Sequence, residues 1–167
     1  TTVQGVLLAR IDRLPEDVKE VLQMAAVIGR VFSHPLLAYV LQQGPELEKI
    51  LLQLEDLEFL YPTTPAPQRE YSFKHVLTQE AVYGTLLRPQ REMYHERIGE
   101  ALEALYPERL EEYYEVLAYH YVRSSNKDKA VEYLDLANQK AARVSAMAEA
   151  KGYFDAAMRL LDTLPET

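Results

Sequence analysis

His75 stands where a predicted strand, 71–73, runs directly into a predicted helix that begins near Val76. An imidazole can donate a hydrogen bond to a phosphate oxygen, and the free amides at the start of a helix favour the same negative charge. Phosphate contact is one role for His75, and two structural roles are its alternatives. A histidine at such a junction can cap its own helix, or it can pack under a neighbouring hairpin. The position is compatible with contact to a phosphate and equally with either structural role.

The patterns that catalysis or metal binding would need are missing from the sequence. The six glycines stand singly and none precedes a Lys-Ser or Lys-Thr pair, so there is no Gly-x-x-x-x-Gly-Lys-Ser/Thr loop to hold the phosphates of ATP. The four histidines lie 20 or more residues apart, cysteine is absent, and no Gly-x-Ser-x-Gly turn presents a nucleophile. We therefore predict a segment that is not an enzyme and holds no metal or cofactor.

Apolar spacing and helix-breaking residues organise the first half of the chain. Helices are predicted over 3–14, 16–28, 34–43 and 47–57, and extended segments over 31–32, 60–62 and 70–73. Pro15, followed by two acids, starts the second helix, and Gly29 ends it with a left-handed conformation. The last two extended segments flank a proline-rich stretch and predict a β-hairpin. Three helices followed by a two-stranded hairpin is the order of a winged helix.

After the hairpin every segment has helical periodicity. Helices are predicted over 76–87, 90–106, 108–124, 127–144 and 146–164, with breaks at Pro89, Pro107, Asn126 and Ser145. The small-large-small spacing of Ala130, Leu134 and Ala137 recurs 20 residues later, and paired helices of tetratricopeptide repeats pack closely by this spacing. A regular repeat would be roughly 34 residues long, so one helix is predicted to serve two successive units.

The stretches 7–14, 21–32 and 71–83 carry a family resemblance. They resemble the region that follows the nucleotide-binding domain in bacterial signal-transduction ATPases of the apoptotic-ATPase type, and the resemblance covers nearly all 167 residues. The resemblance implies a winged-helix domain, 1–87, then a helical linker and the start of a tetratricopeptide-like array, 88–167. It also implies nucleotide sensing by His75, since related ATPases hold a Met-His-Asp histidine at this junction against the bound diphosphate. Here Lys74 and Val76 replace the flanking Met and Asp.

Tyr113, Arg91 and His95 are candidates for an interaction surface. Tyr113 lies off the helix face that Leu110 and Leu117 share, and exposed amphipathic aromatic rings are enriched at interfaces. Arg91 and His95 resemble an Arg-x-x-x-His stretch that follows the winged helix in the family. The alternatives are packing between helices for the tyrosine and a solvated helix face for the other two.

Composition limits the partners. The chain has 18 Lys and Arg against 26 Asp and Glu, a net charge of −8 that opposes binding to nucleic acid or anionic lipid. In 45–60, which includes the helix that a DNA-binding winged helix would insert into the major groove, five acids and one lysine give a net charge of −4. With no signal peptide and no apolar run near the roughly 18 residues of a membrane span, a cytoplasmic location is expected.

Together these features predict a mostly α-helical, non-catalytic regulatory and protein-interaction segment of a longer signalling ATPase. The resemblance implies that this segment belongs to a multidomain protein, because the family's region often occurs in chains that also carry an adenylate or guanylate cyclase domain or a DNA-binding domain. The expected partners are an upstream nucleotide-binding domain of the same chain and a protein bound by the helical repeats, with no nucleic acid or membrane partner. One alternative is a pure helical-repeat scaffold that does not communicate with nucleotide. The other is a winged-helix transcription regulator that reads DNA.

Overall fold

The structure of the chain, a computed structural model, describes residues 2–64 and 69–162 and is mostly helical. Within these residues the helices are α1 Val3–Asp12, α2 Glu16–Ile28, α3 His34–Leu41, α4 Pro45–Asp56, α5 Val76–Gly84, α6 Arg88–Leu105, α7 Tyr114–Val122 and α8 Lys127–Asp162, with a 3₁₀ helix over Leu110–Tyr113. The strands β1 Val31–Ser33, β2 Leu60–Thr64 and β3 Glu70–Phe73 form one antiparallel sheet. None of the helices within the described ranges combines the length and the apolar character needed to span a membrane.

Helix α2 lies at the centre of the core, because seven of its 13 residues are buried and it contacts α3, α4, α5 and α6. Pro15 precedes it with φ of −56°, and Glu16 and Asp17 in its first turn complement the positive end of the helix dipole. Gly29 ends the helix at φ 150° and ψ −174°, a conformation that residues with a side chain rarely adopt. The predicted bounds are confirmed, and the positive φ of Gly29 agrees with the predicted need for glycine, although its ψ differs from that of the left-handed helical conformation.

The sheet has the order β1-β3-β2, so β3 is the central strand. Val31 lies opposite Ser72 on one side of β3, and Leu60 lies opposite Phe73 on the other. The predicted pairing of the last two extended segments is confirmed, while the predicted turn at 65–68 lies outside the described residues. Ser33 ends β1 and caps α3, because its hydroxyl accepts a hydrogen bond from the Leu36 amide at 3.3 Å.

The predicted break at Ser145 is wrong, because α8 runs without interruption through 36 residues. A lone serine is only mildly unfavourable inside a helix, and α8 contains no proline to remove a backbone donor. The predicted helix 108–124 begins later than expected, since 110–113 form a 3₁₀ helix and the α-helix starts at Tyr114.

One contiguous core extends from Ile11 in α1 to Tyr133 in α8. Helix α6 packs on α2 and α3, and the Arg97 guanidinium donates to the Val40 carbonyl of α3 at 2.8 Å. The predicted domain boundary at residue 87 lies at Leu87, the N-cap of α6. The buried core continues across this boundary.

Candidate functional site

His75 is held at the junction by the elements on both sides of it. The Phe73 amide donates to the Arg30 carbonyl at 2.9 Å, and the Lys74 amide donates to the Phe59 carbonyl at 3.0 Å. His75 then takes the extended N-cap conformation of α5, with φ −133° and ψ 139°. Its carbonyl accepts from the Thr78 amide at 3.1 Å, so the backbone is bonded immediately before and after the histidine.

The His75 side chain is exposed, and it makes no hydrogen bond or ion pair with any residue of the described ranges. It does not cap its own helix, because no side-chain cap bond forms at the start of α5. It also does not pack under the hairpin, because it lies at the surface. Both structural alternatives are therefore contradicted, and the imidazole is presented to solvent from a rigid backbone.

The start of α5 forms an apolar surface with α1, which we call the α1/α5 face. Val3, Gln4, Leu7, Leu77, Glu80 and Ala81 line a cavity of about 220 Å³ between the two helices, and the exposed residues His75 and Val76 directly precede Leu77 of the face at the start of α5. Val3 is 71% exposed and Leu77 is 58% exposed. An apolar surface beside an exposed histidine is a feature typical of protein contact sites.

A charged network joins α4 to the sheet. Arg69 Nη1 donates to Glu48 Oε2 at 2.7 Å, its Nη2 donates to Glu48 Oε1, and His34 Nε2 lies 2.7 Å from the same Oε1. The hydrogen bond from Arg69 is the main cause that lowers the pKa of the Glu48 carboxyl. Lys74 forms an ion pair with Glu58 at 3.3 Å. The two cations next to the hairpin are thus bound to acids of the chain.

His95 is fully buried, so the prediction that it contributes to an interaction surface is wrong. Its Nδ1 lies 2.8 Å from Nδ1 of His120 on α7, and its Nε2 lies 2.9 Å from the Tyr83 hydroxyl. Burial is the main cause that lowers the pKa of His95 to about 4, and Arg123 and Arg91 lower it further. Burial also lowers the pKa of His120 to about 3. The pair is therefore neutral and joins α6 to α7.

Arg91 and Tyr113 are both partly buried. The Arg91 guanidinium lies over the Tyr83 ring, 4.8 Å from its centre. Tyr113 stacks on Tyr106 with ring centres 4.7 Å apart, so one face of its ring is covered. The structure does not bring Tyr113, Arg91 and His75 together, because no contact joins them within the described ranges and they belong to three different elements.

The sequence analysis did not single out Glu103, which is the shared acceptor of a cluster between α6, α7 and α8. The Tyr133 hydroxyl donates to it at 2.5 Å, Lys129 Nζ donates at 2.8 Å, and the Tyr121 hydroxyl donates as well. Burial alone would raise the pKa of Glu103, but these three hydrogen bonds outweigh it and lower the pKa. The only signal in the sequence was the number of tyrosines between 113 and 133.

The second half of α8 presents an apolar stripe to solvent, formed by Met147 and Phe154. Tyr133, Lys140, Met147 and Phe154 follow one another at seven-residue spacing and so lie on nearly the same face of the helix. Tyr133 is buried and Lys140 donates to the Glu111 carbonyl at 2.9 Å, whereas Met147 is 72% exposed and Phe154 is 63% exposed. The face that packs on α7 thus continues beyond the start of α7 and the 3₁₀ helix that precedes it.

A scan of the chain against models of protein families finds no match. The chain is 28% identical, over 169 aligned residues, to an uncharacterized protein of Rhizobium meliloti (strain 1021). The alignment covers 98% of this chain and 16% of that protein. The matching region of the relative is therefore one small part of a much longer polypeptide.

Proposed function

We propose that the chain is a non-catalytic regulatory and protein-interaction segment of a multidomain, cytoplasmic signalling ATPase. In this proposal a winged helix over 1–87 docks on an upstream nucleotide-binding domain and reports its nucleotide state through His75. The helices of 88–167 begin a tetratricopeptide-like array that binds a protein partner or passes the signal to an effector, such as an adenylate or guanylate cyclase domain.

The order of elements supports the winged helix. Helices α2, α3 and α4 are followed by the hairpin of β2 and β3, and the short strand β1 joins the same sheet beside β3. Three helices and a two-stranded wing are the parts of that fold. The length of the Rhizobium meliloti relative supports a multidomain context, because the region that matches this chain is 16% of it.

The exposed imidazole of His75 is the observation that carries the sensor role. Its backbone is bonded on both sides, so its position varies little, and its nitrogens are free to meet a group from outside the described residues. The start of α5 has no acid in its first turn and no side-chain cap, which leaves its positive end uncompensated next to the imidazole. The α1/α5 face provides the apolar area that a docked domain would cover.

The stripe on α8 supports the role of the second half in protein binding. A helix that is apolar on more than one side is normally buried, and Tyr153 and Leu160 add exposed apolar area on a second side of α8. Helices stacked on both sides would cover these residues, as in a repeat array. The same observation favours the second candidate function, a helical-repeat scaffold that binds partners without responding to nucleotide.

The ion pairs of the sheet disfavour DNA binding. A recognition helix needs free basic or amide groups, but α4 carries four acids, Glu46, Glu48, Glu55 and Asp56, against Lys49 as its one cation. Arg69, which pairs with the helix, is bound by Glu48. Phosphate contact would therefore require breaking a charge-assisted, bidentate pair next to an acidic helix.

The test compares His75→Ala with wild type in a longer version of the protein that includes the nucleotide-binding domain, with release of fluorescent ADP followed by stopped flow. Loss of one charge-assisted hydrogen bond costs about 1.5 to 3 kcal/mol, so ADP release should accelerate about tenfold or more. The isolated chain should keep its free energy of unfolding within about 1 kcal/mol, because the side chain is exposed.

Lys74→Ala is the matched control, since Lys74 is the adjacent exposed residue and its partner is Glu58. Its ADP release should stay within about twofold of wild type. An unchanged release rate in His75→Ala would refute the sensor role. If the sequence upstream of this chain contains no phosphate-binding loop, the proposal of a signalling ATPase fails and the scaffold function remains.

A further inference from the structure

A second surface gathers positive charge around one groove, which we call the α6/α7 groove. Its volume is about 310 Å³, and it lies between the start of α6, the end of α7 and the start of α8. The residues that line it are Tyr83, Arg88, Arg91, Glu92, Val122, Arg123 and Lys127. Four of these seven side chains are cationic in a chain whose net charge is −8.

The acids of the chain do not neutralise this cluster. Glu92 is the one carboxylate among the lining residues, and it pairs with Arg88 at 3.1 Å. Within the described ranges, Arg91, Arg123 and Lys127 form no ion pair with an acid. Lys127 Nζ instead donates to the Ser124 carbonyl at 2.8 Å, and Arg123 Nη1 donates to the Tyr119 carbonyl at 2.9 Å.

The start of α6 adds to the positive potential of the groove. The helix has 18 residues and no acid in its first turn, while Arg88 is its first residue and Arg91 its fourth. Cations at the positive end of a helix dipole are unfavourable, and anions there are favourable. An anion in the groove would relieve both repulsions, that between the arginines and that between them and the helix.

Two tyrosines hold the guanidinium groups in place. Arg91 lies 4.8 Å from the centre of the Tyr83 ring, and Arg123 lies 3.6 Å from the centre of the Tyr119 ring. Nε of Arg91 is buried and has no acceptor among the described residues. A guanidinium that is already positioned loses little entropy when it binds an anion, and its planar donors match two oxygens of a phosphate.

The groove lies above the neutral histidine pair. His95 and His120 are buried, and Tyr83, which lines the groove, is hydrogen-bonded through its hydroxyl to the Nε2 atom of His95. The carboxylate that lines the groove, Glu92, is already paired with Arg88.

We propose that the α6/α7 groove binds a phosphate group, held by Arg91, Arg123 and Lys127 at the positive end of α6. The volume suits one phosphate and a small part of the molecule that carries it. The site is separate from His75 and does not rest on the proposed nucleotide sensing. Its ligand is a phosphate ester, either of a protein side chain or of a nucleotide.

The test is a nuclear magnetic resonance titration of the isotope-labelled chain with inorganic phosphate at pH 7.5, with chloride keeping the ionic strength constant. Binding should saturate in the millimolar range and shift the signals of Arg91, Arg123 and Tyr83. It should also raise the pKa of His95, because the anion offsets the charge of the two arginines that lower it. Shifts that grow linearly and are equal for chloride would overturn the proposal.

The double variant Arg123→Gln with Lys127→Gln should bind phosphate at least tenfold more weakly. The double variant Arg13→Gln with Lys49→Gln removes the same charge from exposed positions elsewhere and should bind within twofold of wild type. Equal weakening in both double variants would mean that net charge alone is responsible, and the site would be refuted. O-Phosphoserine and AMP are then titrated separately, and the one that binds at least tenfold more tightly than inorganic phosphate is the source of the group.

Discussion

Replacing Glu103 tests the packing of α6 against α7 and α8. The carboxylate accepts hydrogen bonds from Tyr121, Tyr133 and Lys129, and the two tyrosine rings are buried and stacked with their centres 5.6 Å apart. Glu103→Ala leaves both hydroxyl groups without an acceptor among these residues. It also removes the carboxylate to which Lys129 is bound.

The magnitude follows from the burial of the donors. A buried donor without an acceptor costs about 1 to 3 kcal/mol, so two hydroxyl groups cost roughly 2 to 6 kcal/mol. Lys129 is 37% exposed and regains water, so it adds little. Glu111→Ala is the matched control, because Glu111 pairs with Arg143 at 2.7 Å with both side chains 60% exposed, and such pairs contribute about 0 to 1 kcal/mol.

The assay is urea unfolding at pH 7, followed by circular dichroism and extrapolated to zero denaturant. A loss of 2 kcal/mol corresponds to a fall in Tm of roughly 4 to 8 °C for a chain of this size. Glu103→Gln, which keeps one acceptor oxygen, should lose about half as much as Glu103→Ala. A difference of less than about 1 kcal/mol between Glu103→Ala and Glu111→Ala would refute the reasoning.

Acid provides a second check on Glu103. Its folded pKa is lowered, so its contribution is fully present above the unfolded value of about 4.3 and is lost as the pH falls through the folded value. Wild type and Glu103→Gln should therefore become more alike in stability below about pH 4. A constant difference down to pH 2 would mean that the carboxylate is not held in its charged form.

Three further predictions concern stability and binding. The folded pKa values of His95 and His120 lie below the unfolded value of about 6.5, so the chain loses stability as the pH falls from 6.5 toward 4. Urea unfolding at pH 5 should show a loss on the order of 2 kcal/mol per histidine. Replacing both histidines with Gln should make the free energy of unfolding less dependent on pH over this range. Gly99→Ala should lower the free energy of unfolding by about 1 to 3 kcal/mol, because the added Cβ would lie 2.6 Å from the Tyr121 ring. The control Gly152→Ala has open space around its Cβ and should raise the free energy of unfolding by up to about 1 kcal/mol. Calorimetric titration of the chain with magnesium and ATP should show no binding tighter than about 10 μM, and anisotropy at low salt should show no submicromolar binding to duplex DNA.

Much of the first half of the fold follows from local signals. Pro15, Ser33 and Gly29 mark the ends of elements because each has a backbone or capping preference that acts within a few residues. The strands of the hairpin were predictable for the same reason. The break predicted at Ser145 failed because serine only weakens a helix, and a weak preference does not decide between one long helix and two short ones.

In the candidate site as well, local signals predict where a residue stands in the chain but not whether it is exposed or buried. The position of His75 at a strand-to-helix junction follows from its neighbours in sequence, but its exposure depends on how α1 and α5 pack. His95 was assigned to an interaction surface because, with Arg91, it resembles the Arg-x-x-x-His stretch that follows the winged helix in the family. Its burial results from His120, 25 residues away on α7, which supplies the hydrogen-bond partner that makes a buried imidazole acceptable. Contacts at such separations are not encoded in local spacing.

The 36-residue helix α8 has mechanical consequences. The last hydrogen bond that it makes with α7 or the preceding 3₁₀ helix among the described residues is that of Arg143 with Glu111. At a rise of 1.5 Å per residue, the part from Arg143 to Asp162 is about 28 Å long. A tilt of about 10° at the base would move the far end by about 5 Å, close to one helical turn. A small adjustment between α7 and α8 would therefore produce a much larger displacement at the far end of α8.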